Sequence, residues 1–421
     1  MRALYTVLLY LATPFVLLRL LWRSRELAAY RRRWRERFGF VRTPPQPVAV
    51  WVHAVSVGET LAAAPLVRAL VARHGAGRIW LTTTTPTGSE RAVALFGDSV
   101  VHSYAPYDLP DVVARFLARV RPAKIVVMET ELWPNLLRAA AARGIALSIV
   151  NARLSPRSFS GYSKVAGFAR RTLADVAQVA AQSDADAARF RALGAPPERV
   201  AVMGNIKFDQ PLPDAQIALG RRLRARLGAR PVWVAASTHE GEDELVLAAH
   251  RALLTALPDA ALLLVPRHPQ RFDAVARLVE KARFSVQRRS ALGALDGDGA
   301  TIDAQVLLGD SMGEMFAYFA AADVAFVGGS LVAVGGHNVL EPAALGLPVL
   351  FGPQMHNFVA ARDLLLDAQG GIEVSAASLP DTLQVLLADA ARRRAIGDAG
   401  RAVVEANRGA LRKLLAVIGE A

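Results

Sequence analysis

From residue 48 onward, short β-rich apolar runs alternate with longer stretches whose apolar residues recur at helical spacing. The strand candidates of the first half are Val48–His53, Ile79–Thr84, Val100–Tyr104, Lys124–Glu129, Ala146–Asn151 and Val179–Ser183. Helical patterns such as Pro134–Arg143 and Ala185–Leu193 lie between them. Continuous apolar strands alternating with helices predict a parallel sheet covered on both faces. The rhythm pauses near Val200–Asp209, and Pro211 and Pro213 then read as a linker. It restarts with Val232–Ala236, Ala261–Val265, Val306–Leu308, Val324–Val327 and Val349–Phe351, while Arg289–Thr301 reads as a loop. The expected fold is α/β, with two doubly wound, Rossmann-like units over residues 48–210 and 211–421.

The first 47 residues follow a different pattern. Leu4 to Leu18 is almost wholly apolar, and Arg19 interrupts a continuation through Trp22. A spanning helix needs about 20 apolar residues, so this one sits at the margin. The next segment, RSRELAAYRRRWRERFGF, holds no small-residue cleavage site. The expectation is an uncleaved membrane-anchor helix over residues 1–22, then a basic juxtamembrane segment over 23–47. Its positive charge favours the cytoplasmic side and anionic lipid. The alternative is an apolar helix docked on a core or partner. Nucleic acid is not an expected partner, because no recognition motif accompanies the arginines.

Composition narrows the chemistry. A hydrophobic fraction of 53% excludes general disorder. The chain has no cysteine, which excludes disulfides, thiol nucleophiles and cysteine-ligated zinc. A formal net charge of +13 suits polyanions, anionic lipid headgroups or phosphorylated ligands. Lysine occurs only at 124, 164, 207, 281 and 413, so arginine carries most of that charge. Neither half has G-x-G-x-x-G after its first strand, and the P-loop, G-x-S-x-G and H-E-x-x-H patterns are missing.

Residues able to do chemistry cluster at the ends of the expected strands. HAVSVGE, His53 to Glu59, joins a strand to a helix and makes Glu59 a candidate acid or base. A carboxylate at a helix start is equally ordinary capping. METELWPN places Glu129 and Glu131 at another strand end, one of them readable as a structural partner for an arginine. Thr82 to Gly88, TTTTPTG, could hold a sugar hydroxyl or phosphate, or simply form a polar strand and turn. In GNIKFD, Lys207 could steady a leaving phosphate or a substrate carboxylate, or lie in solvent.

In the second half, Arg267 and His268 leave a strand end, and arginine offers a fork matched to phosphate. GDSMGEM places Ser311, Met312 and Gly313 before a helix, with Glu314 in its first turn. The strongest signal is Phe326 to Pro353, where a strand empties into two glycine pairs and a helix begins near Asn338. Glu341 then falls in a first turn suited to bonding ribose hydroxyls. These positions indicate nucleotide binding in the second half and a carboxylate base in the first. Two Rossmann-like domains facing one cleft describe the GT-B architecture of glycosyltransferases.

The motifs HAVSVGE, TPTGSERA, PYDLP, METELWPN, NARLS, GNIKFD, STHEGE, VPRHPQRF, MGEM and GGSLVAVGGHN with LEPA occur in this order along most of the chain. Together they resemble the 3-deoxy-D-manno-octulosonic acid (Kdo) transferases of lipopolysaccharide synthesis. That resemblance implies an inverting GT-B enzyme that moves Kdo from CMP-Kdo to a lipid A precursor at the cytoplasmic face of the inner membrane. It implies Glu59 as general base toward the acceptor 6′-hydroxyl, with Glu129 and Lys207 stabilising the transition state. It further implies a CMP site formed by Arg267, His268, Met312, Gly313, Glu314, Asn338, Val339, Leu340 and Glu341, with neither metal nor cofactor. Competing readings are a GT-B enzyme or epimerase-like relative using a UDP-sugar, and a non-catalytic binder of lipopolysaccharide precursors.

Overall fold

The computed structural model describes residues 1–421 except 26, 210, 211, 294, 296–299 and 421. It divides into two compact units, the first comprising Met1–Gln210 with Arg408–Ala421 and the second Pro211–Asn407.

The sheet of the first unit contains β1 (Val50–His53), β2 (Ile79–Thr83), β3 (Val101–Tyr104), β4 (Lys124–Met128), β5 (Ala146–Ala152), β6 (Gln178–Ala181) and β7 (Val200–Val202). All pairings are parallel, in the order β3-β2-β1-β4-β5-β6-β7. Side chains alternate between faces, as a two-residue period requires. Val50 and Val52 join Leu66, Leu70 and Val126 on one face, while Trp51 meets Trp80, Phe116 and Ile125 on the other.

The sheet of the second unit contains β8 (Val232–Thr238), β9 (Ala261–Pro266), β10 (Val286–Arg288), β11 (Val306–Leu308), β12 (Val324–Val327), β13 (Val349–Phe351) and β14 (Gly371–Glu373). It too is parallel throughout, in the order β10-β11-β9-β8-β12-β13-β14. In both sheets the strand order reverses beside the first strand, between β1 and β4 and between β8 and β12. The loops leaving such a pair diverge to opposite faces and open a crevice at the carboxyl edge, where ligands bind in open α/β sheets.

Three strands escape the periodicity reading: β7, β10 and β14. Each has three residues, lies at a sheet edge and is only partly buried, whereas the equally short β11 and β13 are buried throughout. Within the expected loop Arg289–Thr301, Arg289–Leu292 form a short 3-10 turn; residues 294 and 296–299 lie outside the described residues.

Two expected boundaries need correction. The second domain does not continue to residue 421 but ends at Asn407. The helix Ala410–Val417 returns to the first unit, where Ala410, Leu414 and Ile418 join the cluster around Leu66 and Leu70. Asp209 accepts the amides of Gly409 (2.6 Å) and Leu411 (2.5 Å) at the start of this helix. Beyond its end, Lys124 donates to the carbonyls of Ile418 and Gly419 and pairs with buried Glu420 at 2.7 Å.

The basic segment 23–47 is likewise part of the first unit rather than a separate tether. Buried Arg37 donates to the Thr84 carbonyl (2.9 Å) and lies 4.0 Å over the Tyr104 ring. Glu36 accepts the Tyr104 amide at 2.9 Å. Ahead of this segment stands the apolar helix Arg2–Arg23, long and apolar enough to cross a membrane, with a mean hydropathy of 1.8.

Because Asp209 caps the returning helix, Asp209→Ala is expected to destabilise the first unit by about 1 kcal/mol. Denaturant unfolding measures that loss, and limited proteolysis should show faster cleavage near residue 408.

Candidate active site

In the first unit, Glu59 stands at the crevice beside β1, in the helix Val57–Ala62. Ser56 caps this helix by accepting the Glu59 amide at 3.2 Å. The Glu59 carboxylate reaches back, accepting the Val55 amide (2.9 Å) and the Ser56 hydroxyl (3.0 Å). This is a variant of the capping box, so the capping reading of Glu59 is correct as far as it goes. The site does more than cap. Glu59 is buried, and loss of water pushes its carboxyl up to about 7; the negative charges of Glu129 and Glu131 push in the same direction. A carboxyl that titrates near neutrality can accept a proton at working pH.

Glu129 leaves β4, the strand beside β1, with φ of +57°. Such backbone angles are uncommon for a residue with a side chain and recur where geometry serves a site. Asn151, at the end of neighbouring β5, repeats the feature with φ of +50° at a register shift. Glu131 accepts Trp133 Nε1 at 2.7 Å, a partner other than the expected arginine.

Lys207 lies on the turn Ile206–Asp209 after edge strand β7. That turn doubles back toward β5, because the Ile206 amide donates to Asn151 Oδ1 (3.2 Å). Asn205 donates to Gln182 Oε1 (3.1 Å), and Gln182 donates in turn to the Asn151 carbonyl (2.8 Å). Lys207, half-buried, thereby returns to the β4–β5 end of the sheet.

The threonine stretch is structural. Thr82 pairs with Trp51 and His53, Thr83 with His102, and Thr84 with the Val55 carbonyl, while Thr85 caps the helix Pro86–Phe96. His53 itself is fully buried, and burial pushes it down to about 3, so it is neutral.

The second unit builds its crevice from the ends of β8, β9 and β12, which are adjacent strands. The Gly328–Leu331 segment after β12 is held by buried Glu242, a residue the sequence reading left without a role. Its carboxylate accepts four amides, from His239 (3.2 Å), Gly329 (2.6 Å), Ser330 (3.1 Å) and Leu331 (3.0 Å). A Cβ on Gly328 would lie 2.7 Å from that carboxylate, and Gly329 has φ of +67°, so both positions need glycine. The available signal was a Glu-Asp pair just before a helix that follows a strand, opposite a glycine pair at another strand end.

His239 and His337 also entered without an assigned role. Their rings stack with centroids 5.0 Å apart and share an Nε2–Nε2 hydrogen bond of 2.7 Å. Burial pushes His337 down to about 3 and lowers His239 as well, so the pair is neutral, with one nitrogen donating and the other accepting. His268 packs edge-on against His239 at 5.3 Å. Arg267, leaving β9, is the charge that lowers His337 after burial itself, and it opposes the upward push of burial on Glu341. Asn338 donates to Glu341 Oε1 (3.1 Å) and accepts the Leu340 amide (3.1 Å). Arg267, His268, Asn338 and Glu341 thus share one neighbourhood.

Two details differ from expectation. The helix expected near Asn338 is the five-residue Leu340–Ala344, too short for a strong dipole. Val339 and Leu340 bury their side chains in the core, leaving the main chain to meet a ligand. Glu314 precedes the helix Met315–Ala321 rather than lying in its first turn. Its carboxylate already accepts Arg289 (3.0 Å) and the Ser311 hydroxyl (2.6 Å), bracing the turn from which Met312 is 64% exposed and Gly313 takes φ of +81°.

A family model described as 3-deoxy-D-manno-octulosonic-acid transferase (kdotransferase) matches residues 32–210. A 3-deoxy-D-manno-octulosonic acid transferase of Haemophilus influenzae is 44% identical over 419 residues, 98% of this chain and 97% of that protein. The chain belongs to the Kdo transferase family. A second Kdo transferase, from Bordetella pertussis, is 44% identical over 385 residues, covering 88% of this chain and 87% of its own.

Two solved structures support the GT-B fold expected for a Kdo transferase. UDP-GlcNAc 2-epimerase from Neisseria meningitidis matches with a TM-score of 0.57 at 13% identity, covering 89% of this chain and 100% of that one. A glycosyltransferase from Rickettsia africae matches with a TM-score of 0.56 at 13% identity, covering 89% and 98%. At such identities the likeness concerns the fold.

Glu242→Gln would set an NH2 group against backbone donors. The expected cost is about 1–3 kcal/mol, read as a lower unfolding midpoint. Hydrogen exchange at Gly329, Ser330 and Leu331 should accelerate above exchange in the rest of the unit.

Proposed function

We propose that the protein transfers Kdo from CMP-Kdo to the 6′-hydroxyl of a lipid A precursor, with inversion at the anomeric carbon. The observation that carries the role of Glu59 is its environment: a buried carboxyl at the β1–β4 crevice, pushed up to about 7. Membership of the Kdo transferase family supports transfer of Kdo; the CMP-linked donor and the lipid acceptor belong to the proposal. In the proposed step the acceptor oxygen forms its bond to the anomeric carbon as the bond to the CMP phosphate breaks. CMP leaves with that electron pair, and Glu59 takes the hydroxyl proton. Lys207 and Glu129 steady the transition state from the neighbouring strand ends.

Arg267, His268, Met312, Gly313, Glu314, Asn338, Val339, Leu340 and Glu341 are the proposed CMP site. Arg267 is the fork for the phosphate, Glu341 the carboxylate for ribose hydroxyls, and the exposed Met312–Gly313 turn a main-chain contact. No metal is proposed, because cationic and amide donors can carry the charge of a departing CMP. The proposed location is the cytoplasmic face of the inner membrane, with the apolar helix Arg2–Arg23 as anchor and the arginines that follow it against anionic lipid.

Glu59 must be ionised to act, so kcat/KM with CMP-Kdo and a tetraacylated lipid A precursor is expected to rise as pH increases through about 7. Stability has the opposite sign. Burial favours the protonated form, so this contribution is full below about 4.5 and fades as pH rises through about 7. Glu59→Gln is therefore expected to lose transfer by at least about a hundredfold. It should nevertheless unfold no earlier than wild type at pH 8 and still be protected by CMP. Substantial turnover in this variant, with the same acidic limb, would remove Glu59 from the role of base. Protection by UDP but not CMP would overturn the donor assignment.

A further inference from the structure

The helix Arg2–Arg23 has two unlike faces. On one, three side chains reach the globular part of the first unit: Tyr5 donates to Asp108 (3.0 Å), Thr6 to Asn135 (3.2 Å) and Tyr10 to Asp111 (2.5 Å). These acceptors lie at the starts of the helices Pro110–Val120 and Pro134–Ala141. Asp108 is also fixed from within, accepting the amides of Asn135 (3.1 Å) and Leu136 (2.7 Å). On the other face, Leu4, Leu8, Leu11, Phe15, Leu18 and Trp22 are between 56% and 72% exposed. Their spacing alternates between four and three residues, which draws one continuous apolar stripe along a helix.

This arrangement conflicts with a simple span. The helix of 22 residues is about 33 Å long at 1.5 Å per residue, close to the roughly 30 Å hydrocarbon core. Crossing would therefore need its whole length, yet Tyr5, Thr6 and Tyr10 tie roughly its first two and a half turns to the folded first unit. Leu11 to Arg23 is 13 residues, about 20 Å, and falls short of a span. The far end folds against the turn that follows it, Ala28–Arg31: Ser24 accepts Arg31 Nε (2.7 Å), and Arg23 lies 5.1 Å over Tyr30.

We propose that this helix is monotopic, lying in the plane of one leaflet with its apolar stripe in the acyl layer and its first turns docked on the protein through Tyr5, Thr6 and Tyr10. The occupant of the stripe is the leaflet of an anionic phospholipid membrane. Arginine supplies the charge complement. Arg2, Arg138 and Arg143 line a groove of about 590 Å³ along the docked side, with Ala3, Thr6 and Val7. Arg19, Arg23 and Arg25 follow at the other end, all exposed. In-plane burial of one face against lipid, with cations at headgroup depth, is the physics of interfacial helices. The inference rests on the membrane location proposed above and fixes the form it takes.

The chain has no cysteine, so single substitutions in the full-length protein give unique labels. The protein would be added to sealed vesicles of phosphatidylethanolamine and phosphatidylglycerol. Arg2→Cys and Arg25→Cys are both expected to react with a membrane-impermeant maleimide before the vesicles are opened. Reaction of Arg2→Cys only after opening, when Arg25→Cys reacts before it, would overturn the proposal in favour of a span.

Nitroxides at Thr6, Leu8, Leu11, Thr13, Phe15 and Leu18 give a second reading. Oxygen accessibility should oscillate with the helical period, high on the stripe and low at both threonines. A single maximum at mid-helix regardless of face also refutes the in-plane placement. Strong spin–spin broadening on the stripe would identify a second copy as its occupant and refute the lipid assignment. Absence of the protein from floated vesicles would instead remove the membrane location itself, and the in-plane proposal with it.

Discussion

Everything chemical in this molecule depends on one topological constraint. A parallel sheet whose strand order reverses beside its first strand cannot fill the gap above that reversal with its own crossovers. The main chain must be held open there, and in each unit a buried carboxylate binds backbone amides at that place. Glu242 accepts four amides and has its lone pairs committed. Glu59 accepts one amide and one hydroxyl in a water-poor setting near two further carboxylates. Both residues follow the first strand of their sheet, β1 and β8, and they differ in how fully their oxygens are satisfied.

The surroundings of each crevice follow the same logic. Where the chain leaves β4 and β5, side-chain-bearing residues adopt left-handed angles, and Ser237 near the end of β8 does likewise with φ of +60°. In both β5 and β8 this coincides with a register shift. A shift at a strand's last residue re-aims the next side chain without disturbing the ladder below. In the second unit burial keeps the stacked imidazoles neutral, so Arg267 provides fixed positive charge where neutral donors and acceptors surround it. Neutral, oriented groups around one guanidinium can recognise a phosphate and a ribose together.

Much of this was legible in the chain. Central strands such as Ala261–Pro266 are buried on both faces and read directly as apolar runs, and Pro134 marked a helix start as expected. Glu59, Glu129 and Arg267 were visible because strand ends can be located from the pattern. The edge strands β7, β10 and β14 were not, being short and only partly buried, whereas the equally short β11 and β13 are buried throughout. Glu242 stayed hidden because three of its four partners lie 87 to 89 residues away, a distance no local pattern spans. The threonine run, open to two readings in sequence, was decided by tertiary contacts. Its hydroxyls resemble a ligand site in sequence, but tertiary neighbours such as Trp51 and His102 consume them. The return of Ala410–Val417 was equally invisible, being decided by a capping carboxylate at Asp209.

That return has a consequence for biosynthesis. The second unit is an insertion within the first, so the ribosome emits all of Pro211–Asn407 before the helix that completes the earlier core. Until Leu414 and Ile418 arrive, the apolar surface of Leu66 and Leu70 is left incompletely covered. The nascent first unit must therefore wait, partly open, through almost 200 residues of elongation.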